Sequence, residues 1–131
     1  MSLFSRLFKN DKATESDILN FGLSQAMKFG EHWLQPIQAR LEKKYSFLSR
    51  NELDNYNLVC KSVMENYFLF VNNTLENLQS SGESMLEKEL KLIANSHIIN
   101  LYPWISKWNL KKLFSQSCYY ALKEGLDKTI S

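Results

Sequence analysis

Glycine and proline are scarce, four and two in 131 residues. So few chain breakers leave little room for the tight turns of a many-stranded fold, and they favour long helices. Cysteine is equally rare. Cys60 and Cys118 lie far apart inside helical patterns, which fits two buried thiols in a reducing compartment better than one disulfide. A cytoplasmic location is therefore expected. No apolar run approaches the length of a membrane span. The opening M-S-L-F-S-R-L-F-K-N lacks the continuous apolar core and small-residue cleavage site of a secretory signal.

The chemistry-bearing motifs are missing as well. Neither His32 nor His97 has a glutamate three residues before it; Phe29 and Ala94 stand there, so the Glu-x-x-His pairs of metal-binding bundles are absent. No His-Glu-x-x-His and no glycine-rich phosphate loop occurs. His97 lies on an apolar stripe and is expected as a core or boundary histidine rather than a partner to a cysteine nucleophile. Glu83, Glu87 and Glu89 cluster where a helix begins and where negative charge suits the helix dipole. The expectation is a protein that is not an enzyme, with no metal and no cofactor.

The net charge is +2, and residues 1–12 account for it through Arg6, Lys9 and Lys12 against Asp11. The rest of the chain is neutral, so a pI near 8.5 gives no general excess of charge for phosphates, and a nucleic-acid partner is not expected. Residues 1–13 form an N-terminal arm in which Leu3, Phe4, Leu7 and Phe8 recur at amphipathic spacing. Any membrane contact is expected only through residues 1–12.

Hydrophobic residues make up 44% of the chain, enough for one helical domain over residues 1–131 with a core of its own. The predicted class is all-α: an antiparallel bundle of four main helices plus the short amphipathic segment. The first covers about residues 16–45, with candidate caps in Thr14-Glu15-Ser16-Asp17 and apolar residues from Ile18 to Tyr45 at intervals of three or four. Gly22, Ala26 and Gly30 make a smooth strip for close helix approach. Pro36 is expected to kink or break this helix near residues 32–35.

The second helix, 50–79, opens on the capping box of Ser49 and Glu52. Leu53, Tyr56, Cys60, Val63, Tyr67, Phe70, Thr74 and Leu78 mark its stripe. Tyr67 to Val71 are apolar around the whole circumference, which predicts a surrounded segment. Gly82 supplies a left-handed stop. Ser84 and Glu87 suggest a second capping box for the third helix, 84–101, with Leu86, Leu90, Ile93, His97 and Leu101 inward. Tyr102-Pro103 ends it. Ser106 or Asn109 caps the fourth, 109–124, which carries Leu110, Leu113, Phe114, Ser117, Cys118 and Ala121 on one face and stops at Gly125. Residues 126–131 read as a tail.

The candidate working surface is the aromatic connector and the outward face of the last helix: Trp104, Trp108, Lys112, Gln116 and Tyr119. Aromatics with lysines suit base stacking and phosphate contact, but exposed Trp and Tyr in a polar surround resemble a protein-binding hot spot more closely. The expected function is a small protein-binding module that occupies a partner's surface, most concretely an immunity or inhibitor protein neutralising a toxin or an enzyme. The alternatives are a peripheral membrane or nucleic-acid accessory protein, or an enzyme with an unfamiliar site.

Overall fold

A computed structural model describes residues 13–28 and 35–131. The arm of residues 1–12, and Phe29, Gly30, His32 and Trp33, lie outside the described residues. The chain is all-α. Among the described residues the helices are α1 (Glu15–Ala26), α2 (Gln38–Lys44), α3 (Arg50–Ser81), α4 (Glu87–Leu101) and α5 (Lys107–Lys123), followed by a 3-10 turn at Asp127–Thr129. They fall into two compact units, Met1–Ser62 and Val63–Ser131, with α3 contributing to both.

In the first unit, Thr14 caps α1. Its hydroxyl accepts from the Asp17 N–H at 3.0 Å while the Asp17 carboxylate accepts from the Thr14 N–H at 3.1 Å. The helix ends at Ala26, earlier than the break expected near residues 32–35. Pro36 lies outside α2, whose N-cap is Ile37. Ile37 has no capping side chain of its own. Its backbone N–H instead donates to Asn57 Oδ1 of α3 at 3.0 Å, and Gln38 Nε2 donates to Asp54 Oδ1 at 3.2 Å. Arg40 completes the join. Its guanidinium donates to the Gln25 carbonyl at 2.7 Å and to the Gln35 and Pro36 carbonyls at 3.2 Å each. One side chain thus satisfies acceptors at the end of α1 and at the approach to α2, where backbone carbonyls lack helical partners. Ile18, Leu19, Leu23, Ile37, Leu41, Leu53, Tyr56 and Cys60 form the core of this unit.

The capping box that opens α3 forms as expected. The Ser49 N–H donates to Glu52 Oε1 at 2.7 Å, and the Glu52 N–H donates to Ser49 Oγ at 3.2 Å. The helix runs unbroken through Asn72-Asn73-Thr74, where the Thr74 hydroxyl bonds back to the Phe70 carbonyl at 2.8 Å. It closes at Gly82, φ 68°, with the Glu83 N–H donating to the Leu78 carbonyl and the Gly82 N–H to the Gln79 carbonyl. This double closure is the Schellman geometry that a residue with a side chain resists. The middle of α3 corrects the expectation of a surrounded segment. Tyr67 and Val71 are buried, but Leu69 between them is 59% exposed. The buried stripe continues from Tyr67 to Val71 and Leu75, not to Phe70, Thr74 and Leu78.

The second unit packs α4 and α5 with the later part of α3. Its core holds Val63, Met64, Tyr67, Val71, Leu75, Leu90, Ala94, Ile98, Leu113, Phe114 and Ala121. The Tyr67 hydroxyl donates to Asn95 Oδ1 at 2.8 Å, and Asn66 Nδ2 to the Tyr102 hydroxyl at 3.2 Å. On α4 the inward stripe is Leu90, Ala94 and Ile98, while Leu86, Ile93 and Leu101 are exposed. The largest apolar residues are a poor guide here, because small Ala94 occupies the centre of the buried stripe. The expected Ser84 capping box is replaced. α4 starts at Glu87, and no side chain caps it. Met85 is extended and pairs with Ile130 in a parallel bridge. The Met85 N–H donates to the Thr129 carbonyl at 2.8 Å, the Ser131 N–H to the Met85 carbonyl at 2.9 Å, and the Glu87 N–H to the Ser131 carbonyl at 3.4 Å. Residues 126–131 are therefore no loose tail; Leu126 and Thr129 are buried.

Candidate functional site

The site builds upward from the start of α5. Ser106 adopts an extended backbone and its hydroxyl accepts from the Asn109 N–H at 3.2 Å, fixing the first turn. At the far end Gly125 takes a positive φ, and the Leu126 N–H donates to the Ala121 carbonyl at 2.9 Å. Between these caps the inner half of α5 is set by Asn109, Leu113, Phe114, Gln116, Ser117 and Ala121, all buried. The outer half then presents Trp108, 62% exposed, and Tyr119, 45% exposed, about three turns apart.

Lysines frame both rings. Lys112 Nζ lies 5.9 Å from the Trp108 ring centre, and Lys123 Nζ lies 5.0 Å from that of Tyr119. An ammonium at this range is drawn to the negative face of the ring. Tyr119 also meets Tyr120 edge-on at 5.3 Å, and Tyr120 in turn contacts Phe68 of α3 at 6.1 Å. The Tyr119 ring is thus steadied by Tyr120 and remains partly exposed.

The five residues singled out from sequence take three different places. Trp108, Lys112 and Tyr119 share the outward face. Trp104 is half-buried and packs edge-on against Tyr102 at 6.2 Å, so it belongs to the connector before α5. Gln116 is 1% exposed and leaves the candidate surface altogether. Its position is turned about 80° around the helix from Trp108, far enough to reach the buried half. Sequence reasoning missed Leu122, which is 57% exposed, and Lys123. At 100° per residue both project within about 60° of Trp108, a signal that was present in the spacing.

The thiols and the histidine do not converge on this face. Cys60 is buried, its S–H directed at the Leu19 carbonyl at 3.6 Å, and burial pushes its pKa up to about 12. Burial, with a smaller effect from Glu87, raises Cys118 to about 11. Both are thiols rather than thiolates at neutral pH, the unreactive form. The His97 ring stacks on Phe70 at 4.4 Å and 17°. Among the described residues no group of His, Cys, Asp and Glu is arranged to hold a metal ion.

Among the described residues, open grooves also lie elsewhere. One, of ≈ 490 Å³, is lined by Pro36, Gln38, Ala39, Glu42, Arg50 and Leu53. Another, of ≈ 450 Å³, runs along α4 past Leu86, Lys88, Lys91 and Leu92. Among the described residues no helix is long and apolar enough to cross a membrane. No family model, curated protein or solved structure matches the chain.

Proposed function

We propose that this chain is a small helical protein-binding module that acts by occupying a partner's surface and performs no catalysis itself. The observation that supports this is the exposure of Trp108 and Tyr119 together on one face of α5. Tryptophan and tyrosine dominate binding hot spots because each buries a large rigid surface at little cost in rotamer entropy. Leu122 beside them adds apolar surface, and Ser115 and the lysines form a polar surround. The most concrete form of the proposal is an immunity-type inhibitor that covers the working surface of a toxin or an enzyme.

The test is recovery of the tagged chain from cells that produce it, identification of the bound protein, and titration of that purified partner against variants. Trp108→Ala combined with Tyr119→Ala should weaken the complex about 30-fold or more, with the helical circular dichroism signal unchanged. Unchanged affinity in a folded double variant would remove this face as the site.

A further inference from the structure

We infer that the surface received by α5 is an acidic protein surface with an apolar centre, an inference that rests on the reading of α5 as a binding face. The helix carries four lysines and neither aspartate nor glutamate. At 100° per residue, Lys107, Lys111, Lys112 and Lys123 all fall in one arc of about 160°, the same arc that holds Trp108 and Tyr119. The opposite half is the buried one. Cations and apolar anchors therefore form a single patch.

Within the chain this arrangement is unfavourable. Lys107 lies in the first turn of α5, where the exposed N–H groups already create positive potential and an acidic residue is the favoured choice. Lys107 and Lys111 are one turn apart and both exposed, a like-charge pair that disfavours the helix. Carboxylates on a partner would relieve both penalties, and the positive end of the helix dipole would add to the attraction. Lys112 and Lys123 are held beside the rings, so a partner apolar group packing on Trp108 or Tyr119 would bring its neighbouring carboxylates within reach of an ammonium.

The geometry favours a protein over a nucleic-acid strand. Single strands bind by stacking bases on open aromatic faces, and here an ammonium lies over each ring, at 5.9 Å for Trp108 and 5.0 Å for Tyr119. The patch also has no arginine, the side chain suited to two-point phosphate contact.

Defined probes test this on the full chain. The first is a fluorescein-labelled amphipathic helical peptide of about 20 residues with leucine on one face and glutamate on the other, long enough to span α5. The second keeps the leucines and replaces every glutamate by lysine; the third is an oligothymidine of similar charge. Fluorescence anisotropy should show saturable binding of the glutamate peptide, at least about tenfold tighter than the lysine peptide, and weakening between about 50 and 300 mM salt. Lys111→Glu with Lys123→Glu, both at exposed positions, should cost about tenfold for the glutamate peptide and reverse the preference between peptides. Trp108→Ala should weaken both. Equal affinity for the two peptides, no binding of the glutamate peptide, or tighter binding of oligothymidine would overturn the inference. If the peptides were not distinguished while the cellular complex still depended on Trp108 and Tyr119, the acidic partner would fall and the binding face would stand. Indifference of that complex to both aromatics would remove the binding face itself.

Discussion

Arg40 shows how much one side chain can hold through main-chain hydrogen bonds alone. Its guanidinium donates three hydrogen bonds to main-chain carbonyls on either side of residues 29–34. Burial lowers its pKa, though arginine remains charged at any physiological pH. Arg40→Met keeps most of the aliphatic stem and removes every donor. It should destabilise the protein by about 2 to 3 kcal/mol, read as a lower urea midpoint. Arg40→Lys should recover only part of this, because an ammonium cannot reproduce the planar fork. A loss below about 0.5 kcal/mol for Arg40→Met, the size expected of an ordinary surface change, would show the clasp to be incidental. None of this was legible in the sequence, where Arg40 is one charged residue among several. The same holds for Gln116, polar in type yet buried, and for Asn57, whose carbonyl caps a helix twenty positions earlier.

Signals that close within a few residues were legible at the level of elements. The Ser49 and Glu52 capping box, the stops at Gly82 and Gly125, and the end of α4 before Pro103 depend only on local bonds, and all appear where the spacing puts them. Ser84 and Glu87 have the same spacing as Ser49 and Glu52, yet α4 begins differently because Met85 pairs with Ile130. A local motif loses to a distant segment that satisfies the same backbone groups. Ser49→Ala should therefore cost about 1 kcal/mol of stability, whereas Ser84→Ala, at an exposed position outside any helix, should change it by less than about 0.5 kcal/mol. Equal losses in chemical denaturation would mean that Ser84 caps α4 after all. The stripes were legible wherever large residues face inward, as on α3 from Leu53 to Tyr67. On α4 they were legible only in part: Leu90 is buried as expected, but Leu86, Ile93 and Leu101 are exposed and Ala94 takes the centre. Of the proposed binding face, Trp108, Lys112 and Tyr119 are legible from periodicity alone, and so is Leu122, which the same spacing places beside them.

At the scale of the molecule, both units respond to alkali in the same direction. Burial raises the pKa of Tyr45, Tyr56 and Cys60 in the first unit and of Tyr67 and Cys118 in the second. In every case the folded state holds its proton more tightly than the unfolded chain does. The associated stability is complete below the unfolded pKa, near 9.0 for the thiols and 10.0 for the phenols, and is lost as pH rises through the folded values. Cys60 alone should cost about 1.4 kcal/mol per pH unit across its window, hence about 2 kcal/mol by pH 10.5. The urea midpoint should stay flat from pH 7 to 8.5 and fall clearly by pH 10.5, and Cys60→Ala should flatten part of that fall. An unchanged midpoint at pH 10.5 would contradict the burial of these groups.

The bridge between Met85 and Ile130 also imposes an order in time on a nascent chain. In the first unit the longest-range hydrogen bond among the described residues, from Cys60 to Leu19, needs nothing beyond residue 62. The backbone groups of Met85 and the first N–H of α4 find their partners only when residues 129–131 have been made. At a synthesis rate of about 5–20 residues per second, that interval lasts roughly 2 to 9 seconds. For those seconds the N–H and C=O of Met85 and the N–H of Glu87 are left to water.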